Sequence, residues 1–385
     1  MKEENKNQTK GIRIATVVLQ ITVILVVIAL IVQTIMGFQA RSRRIERVQS
    51  AIDTLGSISM ESGRDIEAAD VMLRALPEKE QDMIANRDVL SEARKEYQRL
   101  EALLQTARDA FNAIQTPITV DSKEAIEKAR TAFDALAPDH LTEYVKNEEE
   151  RLTNFEILWE DEYALSLVAS GEELYEQGQY GSAMEKFYDV MDNHPSRQTE
   201  AREQAVKTME VWAKACYDEK DYESALNRLK EAEDRALTSD ALTQLRASLD
   251  RTLAGLRPAN GSAIQRTIAW GHGEFEVTAG DQDLCFKLVS KEDSQKCAVV
   301  FVRKNETAKI NVADGSYVFK YTQGDNWFGN DKMFGSDAKY AIVNDDVEYS
   351  TTYSGSWVYY STMSFDASKH TIGEYGIPEI PIAEW

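Results

Sequence analysis

The sequence predicts a multidomain chain: an N-terminal transmembrane helix, all-α helical repeats, and a C-terminal antiparallel β-sandwich. Three observations predict it. Residues 14–40 contain no charged side chain, although the chain carries a formal charge of −21. Residues 48–165 place apolar positions three and four apart, the helical period, and repeat themselves at a spacing near 60. Beyond residue 262 the apolar period falls to two, and residues 263–385 hold 19 of the 34 Phe, Trp and Tyr residues.

The apolar run reads ATVVLQITVILVVIALIVQTIMGF and lies between Arg13 and Arg41. A spanning helix needs about 20 apolar residues. β-branched residues do not oppose a helix in lipid, because the backbone there must close its own hydrogen bonds. A cleaved signal peptide would have a shorter apolar stretch of about 7–15 residues and a small-residue cleavage site. GFQA at 37–40 matches that site poorly, so an uncleaved anchor over 14–38 is expected. Basic flanks are balanced: Lys2, Lys6, Lys10 and Arg13 on one side, Arg41, Arg43, Arg44 and Arg47 on the other. A short tail before a single anchor commonly stays inside. The expectation is therefore a plasma-membrane protein with residues 1–13 cytoplasmic and 41–385 extracellular. The tail's four basic and two acidic residues leave −23 for the remainder. That charge favours solubility and disfavours nucleic acid, whose phosphates require a basic face. Three cysteines without a C-x-x-C pair exclude a disulfide scaffold and a cysteine-rich zinc module.

Residues 41–165 form the first helical region. ISMESGRDIEAADVMLRAL (58–76) aligns without a gap on ITVDSKEAIEKARTAFDAL (118–136). Ser62 and Ser122 suit N-caps. Ile66, Ala69, Leu73 and Leu76 make one apolar stripe, and Pro77 and Pro138 end one helix or begin the next. A long helix near 84–115 is expected to serve both units. The pattern Ile52, Leu55, Gly56, Ile58, Ser62, Gly63, Ile66, Ala69 resembles helical modules of Gram-positive bacterial surface proteins. The second copy departs from it at Gln115 and Lys123. The resemblance implies surface display and no chemistry.

Residues 166–256 carry another repeat. Gly171, Gly178, Tyr180, Ala183, Phe187, Val190 and Pro195 fall at tetratricopeptide-repeat spacing. Small residues at 171 and 183 let antiparallel helices approach, Tyr180 and Phe187 fill the wedge between them, and Pro195 ends the second. Ala213, Tyr222, Ala225, Leu229 and Ala232 offer a second unit. Its Ala225 lies 42 residues after Ala183, against the family's 34, so each helix is expected to be about one turn longer. The segment resembles the tetratricopeptide family, which implies a helical surface for a protein partner. Cys216 falls on an apolar helix face as a small hydrophobe.

RPANGS (257–262) reads as a linker. Past it, GEFEVTA, DLCFKLVS, KCAVVFVR, AKINV, SYVFKYT and YSTTYSGSWVYYSTMSF alternate as strands. Cys285 and Cys297 flank the turn KEDS at 291–294; if the hairpin register is centred on residue 291, they face each other across two strands and can form a disulfide, and one residue of slip removes the pairing. DGSYVFKYTQGDNWFGNDKMFG (314–335) resembles a motif in C-terminal modules of uncharacterised Gram-positive membrane proteins, with Phe328 where that motif has Tyr. Trp327, Phe328 and Phe334 form either an exposed platform for sugar rings or a plug in the sandwich. Asp325, Asn326, Asn330 and Asp331 are the hydrogen-bonding candidates for the platform. The loop lacks the D-x-[DN]-x-[DN]-G calcium pattern. No H-E-x-x-H, G-x-S-x-G, P-loop or G-x-G-x-x-G motif occurs, and His272 between two glycines reads as a turn residue. No catalytic residue, cofactor or metal is expected. The partners expected are the membrane, a protein on the helical repeats, and alternatively a wall glycan on the aromatic loop.

Overall fold

The computed structural model describes the backbone from Glu4 and side-chain surroundings from Leu19 onward; residues 1–3 of the expected cytoplasmic tail, and all side chains through residue 18, lie outside the described residues. Two compact units follow, Met1–Ser166 and Leu167–Trp385.

The first unit opens with α1 (Glu4–Asp53), a single helix of 50 residues that overruns both ends of the expected span. Its Leu19–Asp53 stretch is long and apolar enough to cross a membrane, and none of its apolar window is buried. The same helix then changes role. Val48 and Ile52 are buried in a core with Ile66, Ala69 and Leu73 of α2 (Gly63–Arg74). After the short α3 (Glu78–Gln81), α4 (Arg87–Asn112) gives Leu90 and Ala93 to this core. It gives Leu100, Leu104 and Phe111 to a second core, shared with α5 (Lys123–Asp134) and α6 (Lys146–Glu176). One long helix thus serves both repeats.

Ser62 and Ser122 do not cap α2 and α5 through their side chains. A 3-10 turn precedes each helix, so both serines already have helical backbone angles. Each Oγ instead accepts from the N–H three residues back, Ser59 at 3.0 Å and Thr119 at 3.1 Å. The repeat also inverts a charge. Asp70 of α2 pairs with Arg94 of α4, whereas Arg130, 60 residues after Asp70, pairs with Glu156 of α6 at 2.7 Å.

The second unit takes the last turns of α6 and continues with α7 (Tyr180–Asn193), α8 (Gln198–Asp218), α9 (Tyr222–Asp234) and α10 (Asp240–Leu256). A Cβ on Gly171 would meet the Phe187 ring at 2.5 Å, so only glycine lets α6 and α7 pack this closely. Ala183, Phe187 and Ala225 are fully buried. Gly178 turns the chain at φ +74, and Pro195 opens a 3-10 turn after α7. Tyr180 and Tyr222 are half-buried, against Tyr175 and Tyr217 respectively. The extra length between repeats is not shared out: α8 has 21 residues, against 14 in α7 and 13 in α9.

The strands are β1 (Ala263–Arg266), β2 (Gly273–Thr278), β3 (Asp283–Ser290), β4 (Cys297–Val302), β5 (Thr307–Val312) and β6 (Gly315–Gly324), then β7 (Lys339–Tyr349), β8 (Thr351–Ser354), β9 (Trp357–Tyr360), β10 (Thr362–Asp366) and β11 (Glu379–Ile380). One sheet runs β1-β4-β3-β6-β7-β11, a second β10-β2-β5, and β8 pairs only with β9. A single core holds Phe275 and Ile310 from the second sheet with Phe286, Val300 and Phe319 from the first. Pairing is antiparallel except that β10 runs parallel to β2, so a wholly antiparallel fold is not what forms. The β8–β9 hairpin carries the chain from the first sheet to the second, and a crossover of this kind permits a parallel neighbour.

Two expectations fail here for local reasons. The 257–262 segment is no free linker: Arg257 is ion-paired with the buried Asp283, Asn260 donates to the Thr307 carbonyl at 2.9 Å and accepts from the Arg303 N–H at 3.0 Å, and the Gly261 N–H reaches the Phe301 carbonyl at 2.9 Å. Cys285 and Cys297 are both free thiols. Cys285 lies opposite Phe301 and Cys297 opposite Val289, four positions apart along the ladder, because the turn is centred near residue 293 and not 291. Burial raises the Cys285 thiol above its ordinary range.

Candidate binding surfaces

The aromatic loop is built on β4. Its sequence CAVVFV is buried at every position, as a strand covered on both faces must be. Ala298, Val300 and Val302 face the core between the sheets. Val299 and Phe301 face outward, and the loop after β6 covers them with Trp327 and Phe334. The three rings interlock: Trp327 meets Phe301 edge-on at 5.0 Å and Phe334 at 5.2 Å. Trp327 is only 2% exposed. An exposed platform of Trp327 and Phe334 is therefore excluded. They cover the outer face of the larger sheet and do not plug its end. The signal was present in six consecutive apolar residues, which demand a second cover.

This loop is pinned to α9. Lys332 pairs with Asp221 at 2.7 Å, and the Ser336 N–H and hydroxyl donate to Glu223 at 2.6 and 2.7 Å. The Lys332 bond holds the Asp221 carboxyl below its usual range. Burial would raise Glu223, but the Ser336 donors and Lys332 together bring it below the usual value. Between helix and loop lies a cleft of about 360 Å³ lined by Glu223, Asn227, Asp325, Asn326, Phe328 and Asp337, among others. Asp325, Phe328 and Phe334 thus come together at one cleft. Asn330 is exposed and lies outside it. Trp327 lines a neighbouring cavity of about 250 Å³ beside Arg257 and Asp283. Among the described residues no group of His, Cys, Asp and Glu could hold a metal ion.

Two further surfaces escape the sequence reading. On the helices, Tyr175, Tyr180 and Trp212 form a chain of ring contacts at 5.8 and 6.5 Å. Arg228 lies over Trp212 at 4.3 Å and Lys207 over Tyr175 at 5.0 Å. The strip crosses four successive helices, α6 to α9, and its rings are half-buried. On the β part, YSTTYSGSWVYYSTMSF reads as an ordinary strand run, but its middle is the separate β8–β9 hairpin. Tyr353 and Trp357 are 70% exposed, Tyr359 58% and Tyr360 47%. His272 stacks on Tyr360 and meets Tyr353 edge-on, at 6.1 and 6.2 Å. The missed clue is that no charged residue occurs between Glu348 and Asp366. Comparison of the chain with family models, curated proteins and solved structures finds no match.

Proposed function

We propose that the chain is a non-enzymatic, single-pass membrane-anchored surface protein whose tetratricopeptide-like helices bind a protein partner, with a β-sandwich module packed beside them. One observation carries the anchor: α1 leaves its large apolar side chains from Leu19 to Phe38 uncovered, then enters a folded core at Val48. Each such side chain left in water forgoes about 1.5–3 kcal/mol of burial, and a contiguous patch of this kind marks a membrane or protein contact. The partner surface rests on the strip of Tyr175, Tyr180, Trp212 and Arg228, residue types that dominate binding hot spots. We place residues 1–13 in the cytoplasm and residues 41–385 outside the cell, since long domains translocate largely regardless of their charge.

The test is alkaline extraction of cell membranes, followed by protease treatment of intact cells. The intact chain should remain with the membrane, and the large C-terminal part should be cleaved. Release of the full-length chain into the aqueous fraction would reject the anchor; complete protection of the C-terminal part would reverse the orientation.

A further inference from the structure

We propose that the β8–β9 hairpin is a binding ribbon for an uncharged polysaccharide. A lone two-stranded hairpin is marginal in water, and large rings on its surface add nothing to its stability unless something covers them. Here the two faces are differently furnished. The register places Trp357 and Tyr359 on one face with Ser354 and Thr352 opposite them, and Val358 and Tyr360 on the other face with Tyr353 and Thr351 opposite. Neighbours on one strand face stand ~7 Å apart, so Trp357 and Tyr359 form a row of two exposed rings on the first face, whereas Tyr353 and Tyr360 on the second are met by His272; the first face is the binding face.

Charge and chemistry select the occupant. The chain is strongly acidic, yet residues 349–365 carry no charge, which matches a ligand that carries none. The rings on the hairpin are Tyr and Trp, each with a polar atom, and the remaining side chains are Ser and Thr hydroxyls apart from Val358. Such a surface meets a ligand whose flat C–H faces alternate with hydroxyls, which describes a pyranose polymer. A lipid surface or an apolar protein groove would call for aliphatic side chains, and Val358 is the hairpin's single one.

The ribbon is held ready. Asp314 accepts from the Thr351 N–H at 3.0 Å and the Thr351 hydroxyl at 2.6 Å. The Glu274 N–H donates to the Ser361 carbonyl at 3.1 Å. Gly355, with φ +62, opens the two-residue loop at the tip. A fixed base lowers the ordering cost of binding.

The experiment uses the full-length protein in mild-detergent micelles, mixed with cellulose, with chitin and with alginate beads. Retention is expected on at least one of the two uncharged polymers and should persist at high salt, where charge contacts are screened. Trp357→Ala with Tyr359→Ala should lower retention about tenfold or more, equivalent to about 1.4 kcal/mol, with an unchanged melting temperature. Trp357→Phe should restore most of what Trp357→Ala alone loses, since it keeps a ring. No retention on cellulose or chitin, retention on alginate alone, or a double variant that binds like wild type would each overturn the proposal. So would self-association lost in the double variant, which assigns the ribbon to a second copy. Quenching by brominated phosphatidylcholine that vanishes in Trp357→Phe would assign it to lipid.

Discussion

Asp70 and Arg130 occupy equivalent places in the two helical repeats with opposite charges, and each finds the complementary partner on the next long helix. A nearly buried carboxylate that faces a guanidinium is costly to strand rather than strongly stabilising when paired. Asp70→Arg should therefore destabilise the first unit by on the order of 2 kcal/mol, since it sets a cation beside both Arg94 and the more exposed Arg74. Adding Arg94→Glu should recover most of the loss, because it recreates the arrangement of the second repeat. Thermal melting of the two variants measures this; equal melting of the single and double variants would refute it. The repeat was legible in the sequence, but the inversion was not. Alignment registers that two positions correspond, whereas the partner lies a further 24 or 26 residues along and is brought near only by the fold.

At the scale of elements, the helices were the most legible part. Their period of three and four survives in every buried stripe, and the shared α4 followed from the length of one unbroken apolar pattern. Strand assignments were less secure because CAVVFV and WVYY break alternation for opposite reasons. The first is covered on both faces and the second on neither. Burial, which periodicity reports only indirectly, decides between them. The α6–α7 packing gives a second prediction. Phe187→Ala removes a fully buried ring that fills the space a side chain on Gly171 would need. It should cost about 3–5 kcal/mol, as large-to-small core changes of this type do, read from the denaturant midpoint of the unit 167–385 within the full chain. A loss under about 1 kcal/mol would mean the helices close over the gap.

For the molecule as a whole, the second unit joins four helices to a β part through few but specific polar contacts. Asp221, Glu223, Lys332 and Ser336 hold the aromatic loop against α9. The Asp221 and Glu223 carboxyls titrate below their ordinary values. A depressed acid contributes stability above its unfolded pKa, and that stability is lost as pH falls through the folded value. Lys332 is raised, chiefly by its bond to Asp221, and its contribution fades only at strongly alkaline pH. The joint should hold between about pH 5 and 9 and loosen below about pH 4. On acidification, the hydrogen-exchange protection of residues 325–338, taken relative to the intrinsic rate at each pH, should fall before that of β3 and β4 does. A uniform loss of protection in all three would show that the loop has no joint of its own. This contact is invisible to local sequence patterns, since its partners lie more than a hundred residues apart, and the stitched 257–262 segment reads in sequence simply as a linker.

The uninterrupted course of α1 has a geometric corollary. A rod with 3.6 residues per turn fixes angle as well as height. Inserting one alanine between Arg41 and Val48 would swing everything beyond it by ~100° about the rod's axis and advance it by only ~1.5 Å. A spacer of seven residues, close to two full turns, would restore the heading to within about 20°. Activity that oscillates with such insertions, rather than fading steadily with length, would reveal that the azimuth of the first repeat matters to whatever this chain meets.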